Sequence, residues 1–135
     1  MPAIMADHDI EGHLQVLLRV LTSTDWRELW DELDVNIASF ESLSIPYTTP
    51  DLELWRICQA HQIVLITGNR NAAGPNSLEG AILRFNDSSS LPVLTIGDPL
   101  RILSSCDYAQ RVATRLLEYL VDLENIRGTG RLYLP

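Results

Sequence analysis

Two apolar runs in this sequence end in side chains that carry the oxygen atoms preferred by divalent cations. Residues 4–6 are followed by Asp7 and Asp9, and residues 63–67 are followed by the polar segment Gly68–Asn71. Each run has the composition of a buried strand, and parallel strands bring their carboxyl ends to one edge of a sheet. The sequence therefore predicts a Mg²⁺ or Mn²⁺ site at that edge. Such a site could hydrolyse a phosphodiester bond, because a bound cation lowers the pKa of its water.

Further side chains belong to the same predicted edge. Arg70 lies between Asn69 and Asn71 and is a candidate contact for a substrate phosphate. The amide oxygens of the two asparagines could serve as weaker ligands than carboxylates. Carboxylates at strand ends and helix starts complete the set, so the candidate metal ligands are Asp7, Asp9, Asp51, Glu79 and Asp98.

Structural explanations compete with these functional ones. Four of the five acids stand where a carboxylate commonly caps a helix or favours its first turn, namely Asp9, Asp51, Glu79 and Asp98. Asp7 precedes the cap position, so capping explains it less well. In the segment 69–71, the asparagines could instead supply turn geometry, and the arginine could pair with a surface acid.

Hydrophobic periodicity predicts the elements that must position these side chains. Strands are expected over residues 2–7, 35–40, 63–67 and 92–96, and the last residues could add an edge strand. Helices are expected over residues 10–21, 25–33, 50–61 and 77–85 and, after a short turn, in the region 98–123. This order predicts an α/β fold, a three-layer α/β/α sandwich with a mainly parallel central sheet, in a single domain over residues 1–135.

Composition excludes several classes of protein. The 135 residues are 46 % apolar, which supports a folded core, and no apolar run is long enough to span a membrane. The net charge of −8 opposes nonspecific binding to nucleic acid, and the absence of lysine removes phosphate-loop and Schiff-base chemistry. The start of the chain lacks the pattern of a secretory signal, and Cys58 and Cys106 lack metal-binding spacing. Two buried free thiols and a cytoplasmic location are expected.

Three segments together resemble the motifs of PIN-like nucleases. Residues 4–9 resemble the first motif, a short strand that ends in a metal-binding aspartate. Residues 49–58 resemble the helix with a Ser/Thr-x-Asp start, and residues 63–71 are similar to the motif in which a strand is followed by Thr-x-Asp-x-Asp. The motifs occur in the family's order over roughly the first half of the chain. The resemblance is to the small, single-domain bacterial members, which are often encoded with toxin–antitoxin partners.

The resemblance implies a ribonuclease that depends on Mg²⁺ or Mn²⁺. Asp7 and Asp51 would be the catalytic metal ligands, and Asn69 and Asn71 would occupy the positions of the third-motif acids. That departure removes two negative charges, because asparagine is neutral where the family has aspartate. An amide carbonyl can still ligate a metal, but it cannot act as a base. Asp9, Glu79 or Asp98 could restore the charge if their side chains converge on Asp7.

Two functions follow as hypotheses. The first is a PIN-like ribonuclease that acts on RNA, with Arg70 as the phosphate contact. The alternative is a catalytically degenerate PIN-like protein that associates with itself or binds a protein partner such as an antitoxin. Exposure of Trp26, Trp30 or Trp55 would favour this alternative, and the resemblance also implies a homodimer.

Overall fold

Five strands form one parallel sheet in the computed structural model, which describes residues 2–23, 25–68 and 77–135. The strands are β1 (Ala3–Ala6), β2 (Asn36–Ala38), β3 (Ile63–Thr67), β4 (Val93–Ile96) and β5 (Arg131–Leu134). They lie in the order β2-β1-β3-β4-β5, and every neighbouring pair is parallel. The helices are α1 (Glu11–Leu21), α2 (Arg27–Leu33), α3 (Asp51–Ala60), α4 (Leu78–Phe85), α5 (Pro99–Ser104) and α6 (Cys106–Val121).

Alternating side chains of the strands fill two cores, one on each face of the sheet. On one face, Ile4 and Val64 pack with residues of α1 and α6. On the other face, Met5 and Leu65 pack with residues of α3 and α4. Burial of one such side chain stabilises the fold by roughly 1.5–3 kcal/mol. Helices therefore cover both faces, and the predicted three-layer α/β/α architecture with a parallel sheet is confirmed.

Strand β2 is shorter than the predicted strand over residues 35–40. A turn ends it, in which the Ser42 backbone N–H donates to Ser39 Oγ at 3.0 Å and the Ser39 N–H donates to Ser42 Oγ at 2.8 Å. These two reciprocal bonds compete with continued strand pairing. The segment after the turn lies beside the carboxyl end of β1.

The cysteines and tryptophans separate into core and surface. Cys58 and Trp55 are buried, and Trp26 and Trp30 are partly buried against the core. Cys106 is exposed because it precedes the buried stripe of α6, so the expectation of a buried thiol is wrong at that position. In the parts of the chain that the structure describes, no helix combines the length and apolar character required to cross a membrane.

Candidate functional site

A cleft opens at the carboxyl ends of β1 and β3, where the strand order changes direction. The chain runs outward from β1 to β2 and then crosses β1 to reach β3. In open parallel sheets such a switch point separates the two following loops and leaves a crevice for a ligand. The crevice, which we call the β1–β3 cleft, has a volume of about 730 Å³. It is lined by Asp7, His8, Asp9, Ile10, His13, Tyr47, Thr49, Asp51, Thr67, Gly68, Pro99 and Leu100.

Asp7 is fixed at the bottom of this cleft by bonds to both neighbouring segments. Its backbone N–H donates to the carbonyl of Ile66 at 2.8 Å, which extends the β1–β3 pairing by one residue. Its Oδ1 accepts from the His8 N–H at 2.7 Å, and its Oδ2 accepts from Thr67 Oγ1 at 3.1 Å. Each carboxylate oxygen keeps a lone pair for a further partner, because each accepts only one of these bonds.

The helix-cap interpretation of the first two acids is wrong. Asp7, rather than Asp9, is the cap, and it begins a short 3-10 turn over His8–Ile10. Helix α1 then starts at Glu11 without a capping side chain. The extra turn explains the difference, because periodicity alone does not show that a tight turn precedes the α-helix.

Three of the predicted acids, Asp7, Asp9 and Asp51, line the cleft. Burial raises the pKa of Asp7 above its ordinary value of 3.8, and the negative charges of Asp51 and Asp9 raise it further. The hydrogen bonds from His8 and Thr67 partly offset this rise. Asp7 is therefore a partly desolvated carboxylate held near two others, an arrangement that a bound cation would stabilise.

The buried thiol of Cys58 is affected by the charge of the same carboxylate. Burial and the charge of Asp7 raise the pKa of its thiol to about 12. The thiol therefore stays protonated at neutral pH and is a poor nucleophile, and it does not line the cleft.

The other two predicted acids do not line the cleft. Glu79 lies in the first turn of α4 and accepts from Arg131 Nε of β5 at 2.9 Å. Ser77 is the N-cap of this helix and its Oγ accepts from the Gly80 N–H, so Glu79 is a first-turn residue, as one of its structural explanations proposed. Asp98 precedes Pro99 at the start of α5, and its backbone N–H donates to the Tyr108 hydroxyl at 2.9 Å.

The segment with Asn69, Arg70 and Asn71 lies outside the described residues, so their predicted roles stay predictions. Within the described residues, no group of three histidine, cysteine, aspartate or glutamate side chains is arranged to hold a metal ion. A cation at Asp7 and Asp51 would therefore take its remaining ligands from water or substrate, as Mg²⁺ commonly does.

Residues beyond the predicted catalytic residues and ligands also line the cleft. Thr67 orients Asp7, and the ring of Tyr47 lies 4.3 Å from the ring of His8 between their centroids. Both ring nitrogens of His13 are buried, with no hydrogen-bond partner among the described residues. The sequence indicates a functional role for Thr67 only weakly, because it is the polar last residue of a buried strand. No sequence pattern pointed to Tyr47, because it lies in a loop whose course depends on tertiary packing.

Gly68 closes the β3 side of the cleft by close packing, and replacing it with alanine should destabilise the protein. An added Cβ would lie 2.9 Å from Pro99 Cγ and 3.4 Å from Ile10 Cγ2. Displacement of the proline ring should cost about 1–3 kcal/mol, partly offset by lower entropy of the unfolded chain. We expect a net loss of about 1 kcal/mol, or roughly 4 °C in the melting temperature.

Gly12→Ala is the matched control for this experiment. Gly12 lies in α1, and an added Cβ would have no neighbour within 4 Å. Alanine is the better helix former, so this variant should gain about 0.5 kcal/mol. Thermal unfolding of both variants provides the measurement, and equal stabilisation of the two would contradict the close packing at Gly68.

Comparison of the chain with protein-family models, with curated proteins and with solved structures gives no match. The similarity to PIN-like proteins therefore remains a hypothesis based on the sequence motifs.

Proposed function

We propose that this protein is a ribonuclease of the PIN-like class that depends on Mg²⁺ or Mn²⁺. The observation that carries the proposal is the position of Asp7. It lies partly buried at the switch point of a parallel sheet, beside Asp9 and Asp51, and its pKa is raised by burial and by their charges. Burial and repulsion of a carboxylate cost folding free energy, and a bound cation would offset that cost, which is why such a group supports a cation site.

The residues of the cleft fit a hard cation. Asp7 and Asp51 would hold it, in keeping with the preference of Mg²⁺ for one or two carboxylates together with water and phosphate oxygens. When bound, the ion would lower the pKa of a ligating water and offset charge on the phosphate. Thr67 and the His8 N–H keep the Asp7 carboxylate in one orientation. Asp9, exposed on the same wall, adds negative charge that favours cation binding.

The overall charge of the protein is consistent with a cation that binds before RNA. With a net charge of −8 and three acids in the cleft, a phosphate would be repelled until a cation occupies the site. The sequence predicts Asn69 and Asn71 as weaker ligands and Arg70 as a phosphate contact, and these roles belong to the proposal as well. The proposal therefore requires that activity depend strongly on the divalent cation.

A thermal-shift titration of metal-free protein with Mn²⁺ and Mg²⁺ tests the cation site. A ligand at about 100 times its dissociation constant stabilises a protein by about 2.7 kcal/mol, which corresponds to roughly 9 °C here. Asp51→Asn should remove most of this shift. Asp107→Asn is the control, because Asp107 is exposed on α6 and does not line the cleft.

Cleavage of a single-stranded RNA completes the test of function. We expect cleavage in Mn²⁺, none in EDTA, and none by Asp51→Asn. Absence of both a metal-dependent shift and metal-dependent cleavage would contradict the proposal.

One observation favours the alternative, a degenerate PIN-like protein that binds a second copy or a partner such as an antitoxin. An apolar groove of about 270 Å³ lies between α2 and α6, lined by Trp26, Leu29, Thr114, Leu117, Glu118 and Val121. Leu29 and Val121 are exposed there, although the tryptophan is partly buried. A dimer by analytical ultracentrifugation, together with a failed metal titration, would make this the better interpretation.

A further inference from the structure

An exposed aromatic ring forms one wall of the β1–β3 cleft. Tyr47 is 55 % exposed, and its ring centroid lies 4.3 Å from that of His8 and 5.1 Å from that of Phe40. Phe40 is buried in the core and anchors this group, which we call the aromatic wall. A large ring that stays half in solvent contributes less to folding than a buried one, so the exposed part of Tyr47 is available to a ligand.

Local hydrogen bonds hold the loop that carries Tyr47. The Ile45 N–H donates to the carbonyl of Phe40 at 3.0 Å, at the start of the loop. At its end, the backbone N–H and the hydroxyl of Thr49 both donate to the carbonyl of Pro46, at 3.1 and 2.6 Å. Tyr47 therefore lies inside a closed turn, and a ligand that meets its ring does not need to order the loop first.

The aromatic wall adjoins the proposed cation site. His8 follows Asp7 directly, so their Cα atoms are about 3.8 Å apart, and the Tyr47 ring packs on the His8 ring. Tyr47, Asp7 and Asp51 line the same cleft. A ligand with an anionic group at the carboxylate-bound cation would thus place its neighbouring part against the tyrosine.

We propose that Tyr47 stacks against an unpaired base of the RNA strand whose phosphate lies at Asp7 and Asp51. This inference rests on the proposed function and adds to it the side chain that would hold a base of the substrate. Stacking on an aromatic side chain is the usual way in which proteins hold unpaired bases, and it tolerates any base because each has a flat π-face. A base inside a duplex is covered by its neighbours, so a fully paired strand would not make this contact.

Binding of a fluorescently labelled, single-stranded octaribonucleotide tests the inference by anisotropy at low salt. The titration is made in Ca²⁺, which supplies a hard cation, and is repeated in EDTA. Removal of a stacking ring commonly weakens binding by about 5- to 150-fold per base, and we expect this loss in Tyr47→Ala. Tyr47→Phe should bind as the parent does, because the π-face remains.

Two further variants separate stacking from other effects. Tyr47→Leu keeps apolar contact with His8 and Phe40 without a π-face, and should bind as weakly as the alanine variant. Tyr133→Ala is the matched control, since Tyr133 is 53 % exposed on β5 and does not line the cleft. A blunt duplex of the same sequence should bind all variants alike.

The outcomes distinguish this inference from the proposed function. Loss of RNA binding in the alanine and leucine variants alone supports stacking, even if the parent cleaves no RNA in Mn²⁺, and the ribonuclease proposal would then fail by itself. RNA cleavage that needs Asp51 but shows the same KM in Tyr47→Ala would overturn stacking and leave the ribonuclease standing. Failure of the parent to bind the oligonucleotide, or equal weakening by Tyr133→Ala, would also overturn the inference.

Discussion

Asp7→Asn should abolish metal-dependent RNA cleavage and yet melt at a higher temperature than the parent when metal is absent. A bound cation is worth several kcal/mol of transition-state stabilisation, so loss of its central ligand should slow cleavage about a thousandfold or more. The fold should gain, because the charged form of Asp7 is disfavoured by burial and by Asp51 and Asp9. Removal of such a functional conflict commonly adds about 1 kcal/mol, which is roughly 4 °C here.

Asparagine suits the position in every other respect. It is as good an N-cap as aspartate, so the bond from the His8 N–H can remain. Its amide group can donate to Thr67 Oγ1, which now donates to the Asp7 carboxylate. The variant therefore changes the charge and leaves the local geometry in place.

The pH dependence of stability follows from the direction of the pKa shift. The pKa of Asp7 in the folded protein lies above the ordinary value of 3.8. Between these two values the folded state retains a proton that the unfolded state has released, so the parent loses stability as pH rises through this interval. Asp7→Asn should thus match the parent below about pH 3.8, gain on it through the interval between the two pKa values, and keep a constant advantage at higher pH.

Melting temperatures of the parent and of Asp7→Asn from pH 3 to 8, with EDTA and with Mn²⁺, provide the measurement. In Mn²⁺ the order should reverse, because only the parent gains the binding energy. Asp107→Asn should show neither effect. A variant that is less stable than the parent at neutral pH without metal would contradict the repulsion within the cleft.

The sequence predicts the sheet and the position of the cleft for a clear physical reason. The run Ile63–Thr67 is buried at every residue, and such a run is read correctly from composition alone. A parallel sheet then places the residues after β1 and β3 together, as the order β2-β1-β3 shows for Asp7 and Thr67. Asp51 joins them because the start of α3 lies near the same edge.

The parts that could not be predicted depend on tertiary contacts. Tyr47 reaches the cleft through a loop whose path is fixed by the burial of Phe40 and by bonds across residues 39–49. The partner of Glu79 is 52 residues away and reaches it only because β5 pairs in parallel with β4. The local sequence around Tyr47 or Glu79 does not show which distant residues will lie beside them. From the sequence alone, the Glu79 carboxylate at the start of α4 could equally well have pointed into the cleft.

Glu79→Gln should destabilise the protein by about 2 kcal/mol, or roughly 7 °C, and leave its response to Mn²⁺ unchanged. The side chain of Arg131 is only 8 % exposed, and its Nε donates to Glu79 at 2.9 Å. The same guanidinium also bonds Thr95 Oγ1 on β4. Glutamine preserves an acceptor but removes the charge that offsets the buried guanidinium. The expected cost is below that of a fully buried pair because Glu79 is 31 % exposed.

Glu124→Gln is the control, since Glu124 accepts from Arg127 Nε at 3.0 Å but is itself 77 % exposed. The Nε–Oε distances of the two pairs are nearly the same, so the two variants should differ in melting temperature mainly because the pairs differ in burial. The melting temperature of Glu124→Gln should change little. Combining Glu79→Gln with Arg131→Met should recover most of the lost stability, because an apolar side chain leaves no charge to offset. An ion pair remote from the cation should not affect metal binding. A smaller Mn²⁺-dependent rise in melting temperature in Glu79→Gln would therefore contradict this prediction and indicate that Glu79 is a metal ligand.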